Sequence, residues 1–151
     1  MARYYALHEA NLALPDVERI LVALRDQRGE LVGLRDRVLA LEAEAEGAEG
    51  TEASEGSEGS GEAVGELRRI RLRMQGLIDQ MQAGVARLVE LDVQLRDIPS
   101  GLIDFPALAA GRPIWLCWRL GEGPIEFWHS HDEGFSARRP LTELPATSPL
   151  A

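Results

Sequence analysis

The chain has 151 residues, an ordinary share of apolar residues and a formal net charge of −9, which suits one domain with a modest core and excludes wholesale disorder. No apolar run approaches the ~20 residues that cross a bilayer, and the N-terminus lacks the pattern of a secretory signal. Because Cys117 is the single cysteine, no internal disulfide can form, and we expect a cytoplasmic protein. The absence of a broad basic field argues against nucleic acid as a partner.

The first predicted element is a long helix. Pro15 and Asp16 fit its first turn, because proline tolerates the missing N–H there and aspartate favours the positive end of the dipole. A heptad pattern follows, with one polar exception at Gln27. Its a and d positions are Val17, Ile20, Leu24, Gln27, Leu31, Leu34, Val38 and Leu41.

The second predicted helix runs from about Glu62 to Asp97 and repeats the heptad pattern. Its a and d positions are Leu67, Ile70, Met74, Leu77, Met81, Gly84, Leu88, Leu91, Leu95 and Ile98. An arginine cluster at its start (Arg68, Arg69, Arg71 and Arg73) is interpreted either as a solvated face that can pair with nearby acids or as a phosphate or RNA contact.

Residues 46–62, between the two helices, contain only Glu, Gly, Ala, Ser and Thr. Such a segment has nothing to bury and predicts a flexible acidic loop, or alternatively a disordered segment that binds a basic partner. The loop lets the helices fold back antiparallel, with Gln27 near Met81 and Gly84.

The apolar stripe of the helices is too wide for one helix pair to bury. We therefore predict a mainly α fold, in which a long antiparallel, coiled-coil-like helical hairpin (1–98) forms half of a homodimeric four-helix bundle. A small C-terminal β-hairpin module (99–141) and a disordered tail (142–151) complete the predicted organisation.

The hairpin is predicted from two alternating β-rich segments, IWLCWRL and IEFWHSH, separated by GEGP. A loop centred on Glu122 and Gly123 places Arg119 opposite Glu126, a favourable cross-strand pair. In that register Cys117 faces Trp128, so Cys117 and His129 point to opposite faces. The expected parity disfavours a Cys–His nucleophilic pair, and also a shared Cys/His metal site unless a bulge shifts one strand.

The module also carries the candidate binding residues. His129, with Asp132 and Glu133 following, could supply metal ligands, although a structural role for His129 is the simpler reading. Arg138 either pairs with Asp132, Glu133 or Asp104 and closes the module or, if it is unpaired in a pocket, binds an anion. The candidate ligand-binding residues are Asp104, Arg119, Trp128, His129, Asp132, Glu133 and Arg138.

The segment GLIDFPALAAGRPIWLCWRLGEGPIEFWHSHDEGFSARRPL resembles the closing signature of an uncharacterised prokaryotic family, domain of unknown function 2203. YYALHEANLALP resembles the opening of the same family. The resemblance implies helices plus a small β module, without an assigned activity. This chain departs from the family pattern at His8, His131, Ala137 and Arg139. The matched positions are Asp104, Phe105, Pro106, Cys117, Trp118, Arg119, Gly121, Glu122, Trp128, His129, Asp132, Glu133, Gly134, Phe135, Arg138 and Pro140.

Three functions follow in order of preference. The first is a non-enzymatic, homodimeric interaction protein whose Trp-rich module presents a polar site. The second is a small-ligand or metal-binding protein, possible also as an enzyme, built on the candidate residues above. The third is association with RNA or the ribosome. The sequence has no recognisable catalytic motif and leaves the identity of any cofactor open.

Overall fold

The structure is a computed structural model that describes residues 3–49 and 57–144. Its two long helices are α1 (Leu7–Glu49) and α2 (Ser57–Glu90). Five strands follow along the chain, and short 3₁₀ helices lie at Phe135–Ala137 and Leu141–Glu143. The strands are β1 (Gln94–Asp97), β2 (Leu102–Ala109), β3 (Arg112–Arg119), β4 (Phe127–Ser130) and β5 (Arg139–Pro140). Within the described residues, neither helix has a stretch long and apolar enough to cross a membrane.

Helix α1 begins eight residues before the predicted start, so Pro15 lies inside the helix rather than in its first turn. The helix starts at Leu7, where the backbone N–H of Ala6 donates to the Glu9 carboxylate at 3.1 Å. This is half of a capping box, in which an acid in the first turn satisfies an otherwise unpaired N–H group. Glu9, rather than Pro15, therefore marks the first turn of α1.

Both helices extend into the segment predicted as a flexible loop. Residues 46–49 belong to α1 and residues 57–62 belong to α2, so the prediction is wrong for these two ends. Residues 50–56 lie outside the described part of the chain. Of the predicted tail, the first residues form part of the helix Leu141–Glu143, and residues 145–151 lie outside the described part.

Helix α2 ends at Glu90, not at the predicted Asp97. Asp92 follows with a φ of 58°, a left-handed conformation that stops the helix. The Val93 N–H returns to the Leu88 carbonyl at 3.0 Å. The chain then becomes strand β1, whose pairing with β2 outweighs the local helical pattern.

The C-terminal module is a five-stranded antiparallel sheet in the order β1-β2-β3-β4-β5, rather than a single hairpin. Strands β2 and β3 are joined by Ala110 and Gly111, both with positive φ, as in a type I′ turn. Gly101, before β2, has a φ of +65°, and a Cβ there would lie 2.5 Å from the Leu120 Cβ. Glycine is required at that position on both counts.

The chain divides into two compact units, Met1–Arg25 with Ala83–Ala151, and Asp26–Gln82. In the second unit the helical segments run antiparallel, and Gln27 meets Gln80 at 3.4 Å, close to the predicted register. Ion pairs bridge its helices between Arg37 and Glu66, Arg71 and Glu42, and Arg73 and Glu30. Two members of the arginine cluster are thus paired within the helices.

In the first unit, the segment before α1 covers the apolar face of the sheet. Tyr5 is fully buried, and its ring meets the Phe105 ring edge-on at 5.1 Å. Its N–H donates to the Pro106 carbonyl and its hydroxyl to the Leu91 carbonyl. Burial raises the pKa of this phenol. The other buried apolar side chains of this face are Ile103, Ala107, Ala109, Ile114, Leu116 and Trp118.

Candidate functional site

The pairing of β3 with β4 differs by one residue from the predicted register. Cys117 lies opposite Phe127 and Trp115 lies opposite His129, whereas we expected Cys117 opposite Trp128. Because side chains alternate between the two faces of a sheet, this shift brings Cys117 and His129 to the same face. The prediction that strand parity places Cys117 and His129 on opposite faces, and so disfavours a shared site, is wrong.

The connection between β3 and β4 explains the shift. The Glu122 N–H donates to the Arg119 carbonyl, and the Arg119 N–H donates to the Glu122 carboxylate at 2.7 Å. Further along, the Ile125 N–H donates to the Asn11 side chain of α1 at 2.9 Å. The chain therefore turns at residues 119–122, before Gly123, and Asn11 of α1 holds the segment that leads into β4. Arg119 does not face Glu126 as predicted, since the pairing of β3 with β4 ends at Cys117 and Phe127.

A third polar residue joins this face from β2. Asp104 lies opposite Cys117, so Asp104, Cys117 and His129 occupy adjacent strands on one face of the sheet. One potential ligand atom from each residue lies within 4.8 Å of the other two. Only 2 % of Asp104, 1 % of Cys117 and 2 % of His129 is exposed. We refer to these three residues as the polar cluster.

The imidazole of His129 is held at both nitrogens. Nδ1 lies 2.9 Å from the Ser130 carbonyl, and Nε2 lies 3.0 Å from both carboxylate oxygens of Asp104. Because a carbonyl oxygen only accepts, Nδ1 must carry a hydrogen. Nε2 is then the nitrogen that faces the cluster. A backbone carbonyl bonded to one ring nitrogen is the usual way in which a protein orients the other nitrogen toward a metal.

Arg96, from β1, fixes the Asp104 carboxylate. Its Nε donates to Asp104 Oδ2 at 2.9 Å, and its guanidinium lies 5.0 Å from the Trp115 ring centroid. The ring of His131 stacks on the same Trp115 at 4.4 Å. A buried carboxylate needs such partners to offset the loss of solvation. His131 thus packs beside the cluster rather than joining it.

The Cys117 thiol lies between Asp104 and Arg138. Burial, together with the nearby Asp104 charge, raises the pKa of this thiol to about 12, although Arg138 acts to lower it. The thiol is therefore protonated at neutral pH when no metal is bound. This placement gives Cys117 two functional neighbours, although the thiol is not reactive by itself.

Arg138 pairs with Glu122, not with the acids that we expected. Its two terminal nitrogens donate to the Glu122 carboxylate at 2.9 and 2.8 Å. The guanidinium lies 4.0 Å from the Phe127 ring centroid and 4.3 Å from that of Phe135. Burial would raise the pKa of Glu122, but Arg138 and the Arg119 N–H hold it below its ordinary value. Arg138 is therefore an oriented cation beside Cys117.

The remaining candidate residues lie apart from the polar cluster. Trp128 points to the other face with Leu116, and its indole N–H is buried without a partner. Asp132 accepts a hydrogen bond from the Ser130 hydroxyl, and Glu133 pairs with Arg139 at 3.4 Å. The expected metal set of His129, Asp132 and Glu133 thus shares one residue with the polar cluster.

Sequence reasoning missed the roles of Cys117, Arg96 and Glu122. A usable signal was the sequence LIDFPALA, in which Asp104 interrupts an otherwise apolar strand and so requires buried polar partners. The partners themselves come from other strands and could not be assigned without the register.

The residues that carry the resemblance to the family signature meet at this site. They include Asp104, Cys117, Glu122, His129 and Arg138. A family model described as an uncharacterized conserved protein (DUF2203) matches residues 3–141. No curated protein and no solved structure matches the chain.

Proposed function

The chain belongs to the DUF2203 family, which has no assigned activity, and from the geometry we propose that it is a metal-binding protein. The metal is a single divalent transition ion, with Zn²⁺ as the first choice. Its ligands are the Asp104 carboxylate, the Cys117 thiolate and His129 Nε2. The observation that carries the proposal is the approach of these three buried ligand atoms to within 4.8 Å of one another.

The chemistry of the ligands favours zinc over a hard cation. Thiolate and imidazole are typical ligands of Zn²⁺, whereas Mg²⁺ and Ca²⁺ are bound by oxygen atoms. The supporting contacts also suit a metal, because Ser130 holds His129 Nδ1 and Arg96 holds the Asp104 carboxylate. Such second contacts fix ligand orientation before the ion arrives.

Metal binding must displace the thiol hydrogen of Cys117, because only the thiolate is a ligand. The raised pKa of about 12 means that this proton is present across the neutral range. A bound dication reverses that preference by its own charge. Because His129 Nδ1 donates to Ser130, the hydrogen bond between Nε2 and Asp104 holds a second hydrogen that the metal must also displace. The metal is therefore expected to bind with release of protons and more tightly as the pH rises.

Titration of the metal-free protein with Zn²⁺, and with Co²⁺ as a spectroscopic probe, tests the proposal. We expect one ion per chain and a thiolate-to-cobalt absorption band. His129→Asn and Asp104→Asn should lower the affinity by at least tenfold. The matched controls His131→Asn and Asp132→Asn should leave the affinity unchanged, since neither residue belongs to the polar cluster.

Two outcomes would contradict the proposed ligand set. Loss of binding in Asp132→Asn rather than in Asp104→Asn would support the set of His129, Asp132 and Glu133 and overturn the present one. Absence of Zn²⁺ and Co²⁺ binding in the wild-type protein would leave the cluster as a structural hydrogen-bonded network.

We propose self-association as a second function, independent of the metal. In the unit Asp26–Gln82, Leu39, Val64 and Leu72 expose large apolar side chains, and much of the heptad stripe is only half-buried. A second copy of the helix pair would cover this surface in a four-helix bundle. Light scattering after size-exclusion chromatography should give a dimer that Leu39→Glu with Leu72→Glu dissociates. A strictly monomeric wild-type protein would contradict this proposal.

A further inference from the structure

Two arginines stand beside the proposed metal site without supplying a ligand. Arg96 donates to Asp104 at 2.9 Å, and Arg138 lies over the ring of Phe127, the residue opposite Cys117. Both side chains are oriented, since Arg96 lies against Trp115 and Arg138 against Phe127 and Phe135. A cation that is already held in place binds an anion with little further loss of entropy.

The charges around the metal leave a net positive site. Asp104, the Cys117 thiolate and Glu122 contribute three negative charges, whereas Arg96, Arg138 and the dication contribute four positive charges. Arg119 adds to this excess because its charge also acts on Glu122. The excess lies on the solvent side of the site, because the Arg96 side chain is 41 % exposed and Arg119 is exposed. A positive charge in that position steers an anion toward the buried ligands.

The coordination number expected for the metal also favours a bound anion. Zn²⁺ sites with three protein ligands usually hold an exogenous ligand in the fourth position. From this we propose that the metal site binds a small monoanion, such as azide, thiocyanate or acetate, as its fourth ligand and that Arg138 is the residue that recognises it. This inference rests on the proposed metal-binding function.

Burial limits the size of the anion. The ligand residues are almost completely buried, and Arg138 is enclosed by Glu122 and two aromatic rings. Phe127 also lines a shallow surface depression of about 390 Å³, which brings solvent close to one of those rings. So enclosed a site favours a linear or planar anion of three or four heavy atoms over an aromatic carboxylate.

The test uses the full-length protein loaded with Co²⁺. Azide should change the visible absorption of the bound cobalt in a saturable manner, and acetate should compete with it. Benzoate should leave the spectrum unchanged at the same concentration. An unchanged cobalt spectrum at saturating azide would overturn the anion proposal while leaving the metal site intact.

Matched variants then identify the residue that binds the anion. Arg138→Met keeps an unbranched side chain between the two rings and should weaken azide binding at least tenfold, measured on the variant's own cobalt spectrum. Arg139→Met, the adjacent arginine that pairs with Glu133, should leave it unchanged. Glu122→Gln removes the competing carboxylate and should strengthen azide binding severalfold.

Each result decides a different point. Equal azide affinity in Arg138→Met, Arg139→Met and wild type would overturn the role of Arg138. Weaker binding in Glu122→Gln would contradict the charge argument, even if Arg138→Met failed to fold. Absence of any cobalt spectrum in the wild type would overturn the metal-binding function and the anion site together.

Discussion

Each face of the C-terminal sheet buries residues at its centre, but by different means. On one face Phe105 and Leu116 are fully buried among apolar side chains. On the other face Asp104 and His129 are equally buried and bond to each other. The stability of the apolar face comes from removing surface from water, whereas that of the polar face depends on every group keeping its partner. The comparison shows that burial alone does not distinguish a core from a site.

The largest expected effect belongs to the apolar face. Phe105→Ala removes a fully buried ring that packs on Tyr5 and should lower the free energy of unfolding by about 3–5 kcal/mol. Urea denaturation in the presence of EDTA measures this change. Phe135→Ala, at a half-buried ring, is the control and should cost clearly less. An equal loss in the two variants would show that the apolar face does not dominate stability.

Zinc should stabilise the protein through the polar face alone. At a free concentration of one hundred times its Kd, an ion that binds only the folded state adds about 2.7 kcal/mol. Thermal unfolding with and without Zn²⁺ should give this increment in the wild type and in Ile103→Val, a mild change on the apolar face. Cys117→Ser should lose most of it. An undiminished increment in Cys117→Ser would place the metal elsewhere.

Without metal, the polar face should be sensitive to the loss of a partner. Asp104→Asn keeps the shape of the side chain but removes the charge that faces Arg96 and His129. We expect a loss of about 1–3 kcal/mol in the free energy of unfolding. Asp132→Asn, at an exposed position, should change it by no more than about 0.5 kcal/mol. Similar losses in both variants would contradict a buried network at Asp104.

The raised pKa of Cys117 predicts that the affinity for zinc depends on pH. Below its folded-state pKa of about 12 the thiol keeps its proton, so zinc must release it. Between pH 7 and 9 the apparent zinc affinity should therefore rise by at least about tenfold per pH unit, or ~1.4 kcal/mol. Isothermal titration calorimetry in buffers of different ionisation enthalpy measures both the affinity and the proton released. A pH-independent affinity without proton release would exclude the thiolate as a ligand.

In the metal-free protein, the raised pKa of Cys117 makes folding stability fall with rising pH, whereas it makes zinc affinity rise. In the unfolded chain the thiol ionises at its ordinary, lower pKa, whereas in the folded protein it remains neutral up to about pH 12. The contribution of Cys117 to folding stability is thus present below the ordinary thiol pKa and is lost as the pH rises towards 12. Cys117→Ser should reduce this part of the alkaline destabilisation.

Much of the fold is predictable because its signals are local. The heptad positions of both helices and the glycine turn after β2 follow from neighbouring residues. The helix ends are less accessible, since Asp92 ends α2 only because β1 can pair with β2. The heptad pattern predicts helix at Leu91 and Leu95, but Leu95 is a strand residue that pairs with Ile103. Tertiary hydrogen bonding overrides a weak local preference of this kind.

The site was less predictable than the fold because the pairing of β3 with β4 differs from the predicted pairing by one residue. The sequence contains Cys117 and His129 in adjacent strands, but their relative faces depend on the connection between those strands. That connection is fixed in part by Asn11, which bonds to Ile125 from far along the chain. A shift of one residue exchanges the two faces of a strand. Local alternation therefore identified the strands but assigned His129 to the wrong face.

The smallest effects are expected where ion pairs are exposed. Arg138–Glu122 and Arg73–Glu30 each make two hydrogen bonds, end-on and side-on respectively, with donor–acceptor distances of 2.8–2.9 Å. Their side chains differ in exposure, at 14 % and 20 % against 53 % and 42 %. Solvent and salt screen an exposed pair, so its net contribution is small despite good geometry.

Double-mutant cycles measure this difference directly. The cycle of Arg138→Met with Glu122→Gln should give a coupling of about 1–2 kcal/mol that changes little with added salt. The cycle of Arg73→Met with Glu30→Gln should give a smaller coupling that disappears at high ionic strength. If the two cycles gave the same coupling, geometry rather than burial would set the strength of these pairs. The Arg138–Glu122 pair would then no longer be distinguished from the ion pairs between the helices.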